Sequence, residues 1–205
     1  MFSTPLPKDL IFSLTHGQAA WVLWHAFSYQ GSGPNQTFDA YLKYLRRNGV
    51  PFDAGELGRG AGHNVAYGYE HLMEVAFALA LKAQGILKTD VVKLLADLRP
   101  ELRPLYVDAW LERETGRGKP VEVRVEGTPT FQASGLWLDL QLLSYTEGEA
   151  PTVGTPRLLS PSEALLSFAT HNRQRALRNP VQISDLAAEI VRLVPHAPEI
   201  RRGRC

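Results

Sequence analysis

The chain has 205 residues, with 22 Lys+Arg against 21 Asp+Glu and a formal net charge of +1. That balance excludes a polybasic, histone-like protein and an acidic solvating tail. Apolar residues make up 44% and charged residues 21%, the mix of a chain that folds around a core. A single cysteine, Cys205, excludes an intramolecular disulfide and a four-cysteine zinc site. No apolar run reaches the roughly 18 residues of a membrane span. The start, MFSTPLPKDLIFSLTHGQ, lacks a basic region followed by a clean apolar stretch. No signal peptide is therefore expected, and the expected location is the cytoplasm.

Thr15-His16-Gly17-Gln18 reads as a capping box, with Gln18 reaching back to Thr15. Ala20, Leu23, Trp24 and Phe27 follow at helical spacing and predict a first helix over about 16–29. Gly31-Ser32-Gly33-Pro34-Asn35 breaks the chain. A second helix is predicted over about 37–48. Phe38, Tyr41, Leu42 and Leu45 form its buried stripe, and Asp39, Lys43, Arg46 and Arg47 lie opposite. Asn48-Gly49 ends it.

Four glycines, Gly55, Gly58, Gly60 and Gly62, make residues 51–66 a small hairpin or a flexible loop. A third helix is expected over about 68–84, stopped by Gly85, with Leu72, Val75, Ala76 and Leu79 inside. Thr89 or Asp90 caps a fourth, which buries Val91, Val92, Leu95 and Leu98. Pro100 and Pro104 are read as ending it and opening a separate short helix, about 104–115.

The period then changes. Val121, Val123 and Val125 alternate with Glu122 and Arg124, and Leu136, Leu138, Leu140 and Leu142 alternate with Trp137, Asp139 and Gln141. With a third strand near 129–134 these form an antiparallel meander. Ser160-Pro161-Ser162-Glu163 opens a helix of about 161–176, and Ser184-Asp185 opens a last one carrying Leu186, Ile190, Leu193 and Val194. The fold class is α+β: a helical N-terminal domain over 1–116, then a small sheet with C-terminal helices over 117–205. The leucine–valine face of the sheet is expected to pack on the helices of 161–194. A ligand pocket near Phe131, Trp137 and Tyr145, or a dimer or partner surface, is the alternative use, which would make 117–205 an effector or oligomerisation domain.

Three segments of 37–98 carry a family resemblance. Tyr44-Leu45-Arg46-Arg47-Asn48-Gly49-Val50-Pro51 ends a basic, aromatic-rich helix at a glycine followed by an apolar residue and proline. Gly62-His63-Asn64-Val65-Ala66-Tyr67 closes a glycine-rich loop on a tyrosine just before a helix. Ala80 to Leu95 runs helix, glycine turn, helix. Together these resemble the DNA-binding domain of MerR-type winged-helix regulators, over about 60 of the 205 residues. The sequence departs from that pattern in places. The wing is about one residue longer, and Asn64 or Val65 stands where the family usually has arginine. The loop between the first two helices is longer and contains proline. The long dimerising heptad helix and the cysteines of the metal-sensing branch are absent.

The resemblance implies a transcriptional regulator that binds double-stranded DNA, needs no metal or cofactor, and associates as a homodimer. Its winged helix-turn-helix would contact DNA through Gln36, Thr37, Lys43, Tyr44, Arg46 and Arg47 on the second helix. Arg59, His63, Asn64 and Tyr67 would contribute from the wing, Tyr67 through its hydroxyl. Read alone, Lys43, Arg46 and Arg47 also fit an ordinary solvated helix face, and Tyr67 also fits a packed aromatic. A module that binds another protein, in the manner of an antitoxin or anti-activator, is the second reading. The near-neutral net charge favours that one. The eight arginines of residues 157–205, dense in 171–179 and 201–204, suit a solvated helix face or a contact with nucleic acid or an acidic partner. No enzyme is expected. The six histidines lack a metal-binding spacing, Gly58-Arg59-Gly60-Ala61-Gly62-His63 has no phosphate-loop lysine, and no nucleophile motif occurs.

Overall fold

A computed structural model describes residues 6–53, 55–56, 65–113, 115–123, 131–140, 142–144, 152–171 and 180–199. Its α-helices are α1 (His16–Ala26), α2 (Gln36–Arg47), α3 (Tyr69–Ala83), α4 (Lys88–Leu111), α5 (Pro161–His171) and α6 (Ile183–Leu193). Its strands are β1 (Val121–Val123), β2 (Phe131–Ala133), β3 (Trp137–Asp139), β4 (Leu142–Ser144), β5 (Thr152–Val153), β6 (Arg157–Leu159) and β7 (Val181–Gln182). The fold class is α+β. Among the described residues no helix is long and apolar enough to cross a membrane.

The first helices start and stop where their caps dictate. The Thr15 N–H donates to Gln18 Oε1 at 3.0 Å, and the Gln18 N–H donates to Thr15 Oγ1 at 3.3 Å. Asn35 Oδ1 accepts from the Phe38 N–H at 2.8 Å and caps α2. Gly49, at φ +85°, closes α2 in the left-handed conformation. The buried stripe of α2 is Phe38, Tyr41, Leu42 and Leu45, as its periodicity predicts.

α4 differs from the expectation. It runs unbroken through Pro100 and Pro104 as one helix of 24 residues. The two prolines are four residues apart and both exposed, so the carbonyls they leave without a helical donor face water. The opposite stripe, Val91, Leu94, Leu95, Leu102, Tyr106, Ala109 and Trp110, is buried end to end and holds the helix together.

The strands pair antiparallel as β1–β2, β6–β3–β7 and β4–β5, three small groups where one meander was expected. The predicted strand residues Arg124, Val125 and Gln141 lie outside the described residues, as does the end of the 161–176 helix. Gly135, at φ +68°, makes the turn into β3. A Cβ there would stand 2.2 Å from Ser184 Oγ, the same oxygen that accepts the Leu136 N–H at 2.7 Å. That close approach ties the sheet to the start of α6.

α6 does not pack on the sheet alone. It lies chiefly against α1, α3 and α4, and its Ile183, Ala187, Ile190 and Leu193 join Val22, Leu23, Phe77 and Leu95 in a single buried cluster. Leu136, Leu138, Leu140 and Leu158 belong to the same cluster. The expected boundary at 116/117 therefore runs through one core, because the last helix returns to complete the helical half. α5 covers the sheet instead, against β2, β3 and β6. Ile190→Ala is expected to lower stability by about 2–5 kcal/mol and to keep urea unfolding a single transition by both far-UV circular dichroism and tryptophan fluorescence. Separate transitions would mean that the halves fold independently.

Candidate nucleic-acid interface

Two ion pairs, one buried and one partly exposed, frame the N-terminal helices. Glu74, fully buried in α3, accepts from Arg99 Nε at 3.0 Å and Arg99 Nη2 at 2.7 Å. Arg99 Nη2 also donates to the Gly49 carbonyl at the end of α2. One turn on, Arg103 Nη2 donates to Glu56 at 3.2 Å and to the Pro51 carbonyl at 3.4 Å. Two arginines of α4 thus hold the chain as it leaves α2, across the cis Val50–Pro51 bond.

The glycine-rich loop is pinned at both ends. At its entry, Asp53 Oδ1 accepts from the Gly55 and Glu56 N–H groups at 2.8 and 2.9 Å. Glu56 in turn accepts from His71 Nε2 at 3.3 Å, while His71 Nδ1 accepts the Gly68 N–H at 3.1 Å. Burial lowers the His71 pKa despite Glu56. At its exit, Tyr67 and Leu14 exchange backbone hydrogen bonds of 2.8 and 3.0 Å. The predicted wing residues Arg59, His63 and Asn64 lie outside the described residues.

Above this frame the outward side of α2 meets the first residue of α1. His16 Nε2 is 2.9 Å from Asp39 Oδ1, and His16 Nδ1 is 3.1 Å from the Tyr67 hydroxyl. An ionised carboxylate only accepts, so Nε2 carries the proton and Nδ1 accepts from the Tyr67 O–H. Arg46 lies close to the same tyrosine, and its charge favours the ionised form of that hydroxyl. Lys43 Nζ sits 2.6 Å from Asp39 Oδ2, one helical turn away.

The electrostatics follow from this packing. Burial lowers the His16 pKa and outweighs the pull of Asp39, with Arg46 and Lys43 adding to the lowering. Burial raises Asp39, but Lys43 and His16 overcome it and leave the carboxyl below its ordinary range. Burial pushes the Tyr67 hydroxyl up to about 12, with Arg46 opposing. At neutral pH the cluster is thus a neutral imidazole, a carboxylate and two cations.

The positions expected to contact DNA separate into two groups. Gln36, Thr37, Lys43 and Arg47 are exposed, and with Ala40 they make one stripe along α2. Tyr67 is only 3% exposed and packs edge-on to Phe52, so its hydroxyl serves the inside of the fold and not a phosphate. Its backbone bridge to Leu14 draws the ring inward. Arg46 is half-buried and lies close to the Tyr67 hydroxyl. Tyr44 is also half-buried, stacked on Tyr41 with Lys88 5.0 Å from its ring centroid, which turns it toward α4. Sequence reasoning missed His16 and Asp39 as a pair. They are 23 residues apart, and the only local signal was the cap that places His16 first in its helix.

The Lys43–Asp39 pair is a surface i,i+4 contact with side chains 47% and 34% exposed. Such a pair contributes only about 0.3–0.5 kcal/mol, so Lys43 is readily drawn to a stronger anion. Among the described residues no group of three or more His, Cys, Asp or Glu is placed to hold a metal ion. The residues expected to form a pocket on the sheet, Phe131 and Tyr145, have no described side chain, and Trp137 is half-buried with its Nε1 on the Ser134 carbonyl.

Because the folded pKa of His16 lies below its ordinary value of about 6.5, the unfolded chain binds more protons there. The contribution of His16 is therefore complete above that value and is lost as pH falls through the folded pKa. His16→Gln is expected to flatten part of the acid-side decline in urea midpoint between roughly pH 7 and 5. An unchanged profile would count against a buried neutral His16. No family model, no curated protein and no solved structure matches the chain.

Proposed function

We propose that this chain is a DNA-binding transcriptional regulator whose N-terminal half works as a divergent MerR-like winged helix-turn-helix. The observation that carries the reading is the exposed stripe of α2: Gln36, Thr37, Ala40, Lys43 and Arg47. It has the features a groove-reading helix needs. Polar side chains at its N-terminus suit base edges, two cations along its length suit phosphates, and the small Ala40 between them lets the backbone come close.

The surroundings support the same use. His16 at the start of α1 meets Asp39, the partner of Lys43, beside this stripe, where a duplex backbone along the edge of a groove would run. Arg46 and Tyr67 act as positioning residues that fix α2 relative to α1. Self-association belongs to the reading as well, since a dimer gains by engaging two half-sites.

The test is fluorescence anisotropy of the full chain on a mixed-sequence duplex across roughly 50–200 mM salt. Lys43→Ala and Arg47→Ala are each expected to weaken binding and to reduce the slope of log K against log salt by about one. Gln36→Ala and Thr37→Ala are expected to leave that slope unchanged and to alter the preference among sequences. Duplex binding that ignores salt, or that survives loss of both cations, would overturn the reading and favour a protein partner.

A further inference from the structure

Beside the N-terminal end of α2, where Thr37 of the polar stripe forms part of its wall, a cleft of about 270 Å³ opens between α1, α2 and α3. Its walls include Trp24, Tyr29, Phe38 and Tyr41, with Lys82 and Ala83 at the end of α3. The rings are mutually braced. Trp24 and Phe38 meet edge to face at 5.2 Å, and Tyr29 leans on Trp24 at 5.0 Å. Among the lining residues Lys82 alone is charged, and its Nζ stands 4.0 Å from the Tyr41 ring centroid.

A second observation points the same way. Trp24 and Tyr41 are 5% and 8% exposed, yet among the described residues the Trp24 indole N–H and the Tyr41 hydroxyl have no hydrogen-bond partner. A buried polar group left unmet costs about 1–3 kcal/mol. Both are donors, so an acceptor oxygen answers both. Burial, with Tyr44 and Tyr29 nearby, holds the Tyr41 hydroxyl up at about 12, so it keeps its proton at neutral pH. Both atoms are closed off from solvent, so Tyr29, 38% exposed and leaning on Trp24 and Phe38, must swing aside to admit that oxygen.

We propose that this cleft binds a small aromatic carboxylate, its ring against Phe38, Tyr41 and Trp24, its carboxylate on Lys82 and a ring oxygen on the Trp24 and Tyr41 donors. The charge selects the ligand class: an aromatic cage that favours an organic cation would not carry a lysine on its rim. The volume selects the size, because it lies below the range of about 300–1,000 Å³ typical of drug-sized ligands and suits one ring with a short acid chain. The cleft shares Thr37 with the DNA-reading stripe, so the test alters only Lys82 and Ala83 of α3, which lie outside that stripe.

The test is titration calorimetry of the full chain with 4-hydroxyphenylacetate, with 4-hydroxyphenylacetamide and cyclohexylacetate as comparators. Saturable binding of the aromatic acid is expected, about tenfold or more weaker for each comparator and for Lys82→Gln, in line with loss of a charge-assisted bond or of ring contact. Ala83→Trp, which fills the cleft from an exposed position, is expected to abolish binding. If that variant perturbs the circular dichroism spectrum, Lys82→Gln, at an exposed side chain, carries the test. No saturable binding up to about 10 mM, equal binding of either comparator, or full binding by the lysine and filled variants would overturn the proposal.

Discussion

The N-terminal half depends on one buried charge. Glu74 sits in the middle of α3 with no access to water, and an isolated carboxylate there would be strongly destabilising. Arg99 resolves this with bonds from both Nε and Nη2, and its fork extends to the carbonyl of Gly49. Three elements are thereby fixed at once: the end of α2, the middle of α3 and the face of α4. An apolar pair of similar volume would hold α3 to α4 as well or better, but it would not reach the α2 terminus. The pair therefore contributes geometry more than net stability. Arg103 repeats the device one turn later on Pro51 and Glu56.

What this geometry positions is a helix with two unlike sides. The packed side of α2 supplies aromatic residues to the core and to the cleft near Lys82. The other side carries charges whose fates differ by only a few ångströms. Arg46 is drawn inward by Tyr67, whereas Arg47, the next residue, stays in solvent. Lys43 is engaged, but by a partner on its own exposed helix, where water screens the attraction. Of the three cations that one helix face brings together, one is structural and two remain available to a ligand.

The local features were legible in the residues. The Thr15–Gln18 box, the Asn35 cap and Gly49 set helix ends because their hydrogen bonds span only a few residues. The buried stripe of α2 was readable because its periodicity stands out from its polar side. Reading Pro100 and Pro104 as breaks failed because propensity is a local cost and burial of the opposite stripe is a larger, non-local gain. The candidate interface was half legible. Exposed Gln36, Thr37, Lys43 and Arg47 lie where the pattern put them, but the inward turn of Arg46, Tyr44 and Tyr67 depends on partners 21 to 51 residues away.

By itself the sequence determined where most helices begin, which of their sides are apolar and that one stripe of α2 is polar, since capping and periodicity are properties of neighbouring residues. Only the tertiary structure decided that α6 returns to the N-terminal core, that His16 meets Asp39, and that Trp24 and Tyr41 bury donors without partners among the described residues. These outcomes depend on which surfaces meet in three dimensions, and no spacing along the chain encodes them when the partners are separated by loops of variable length.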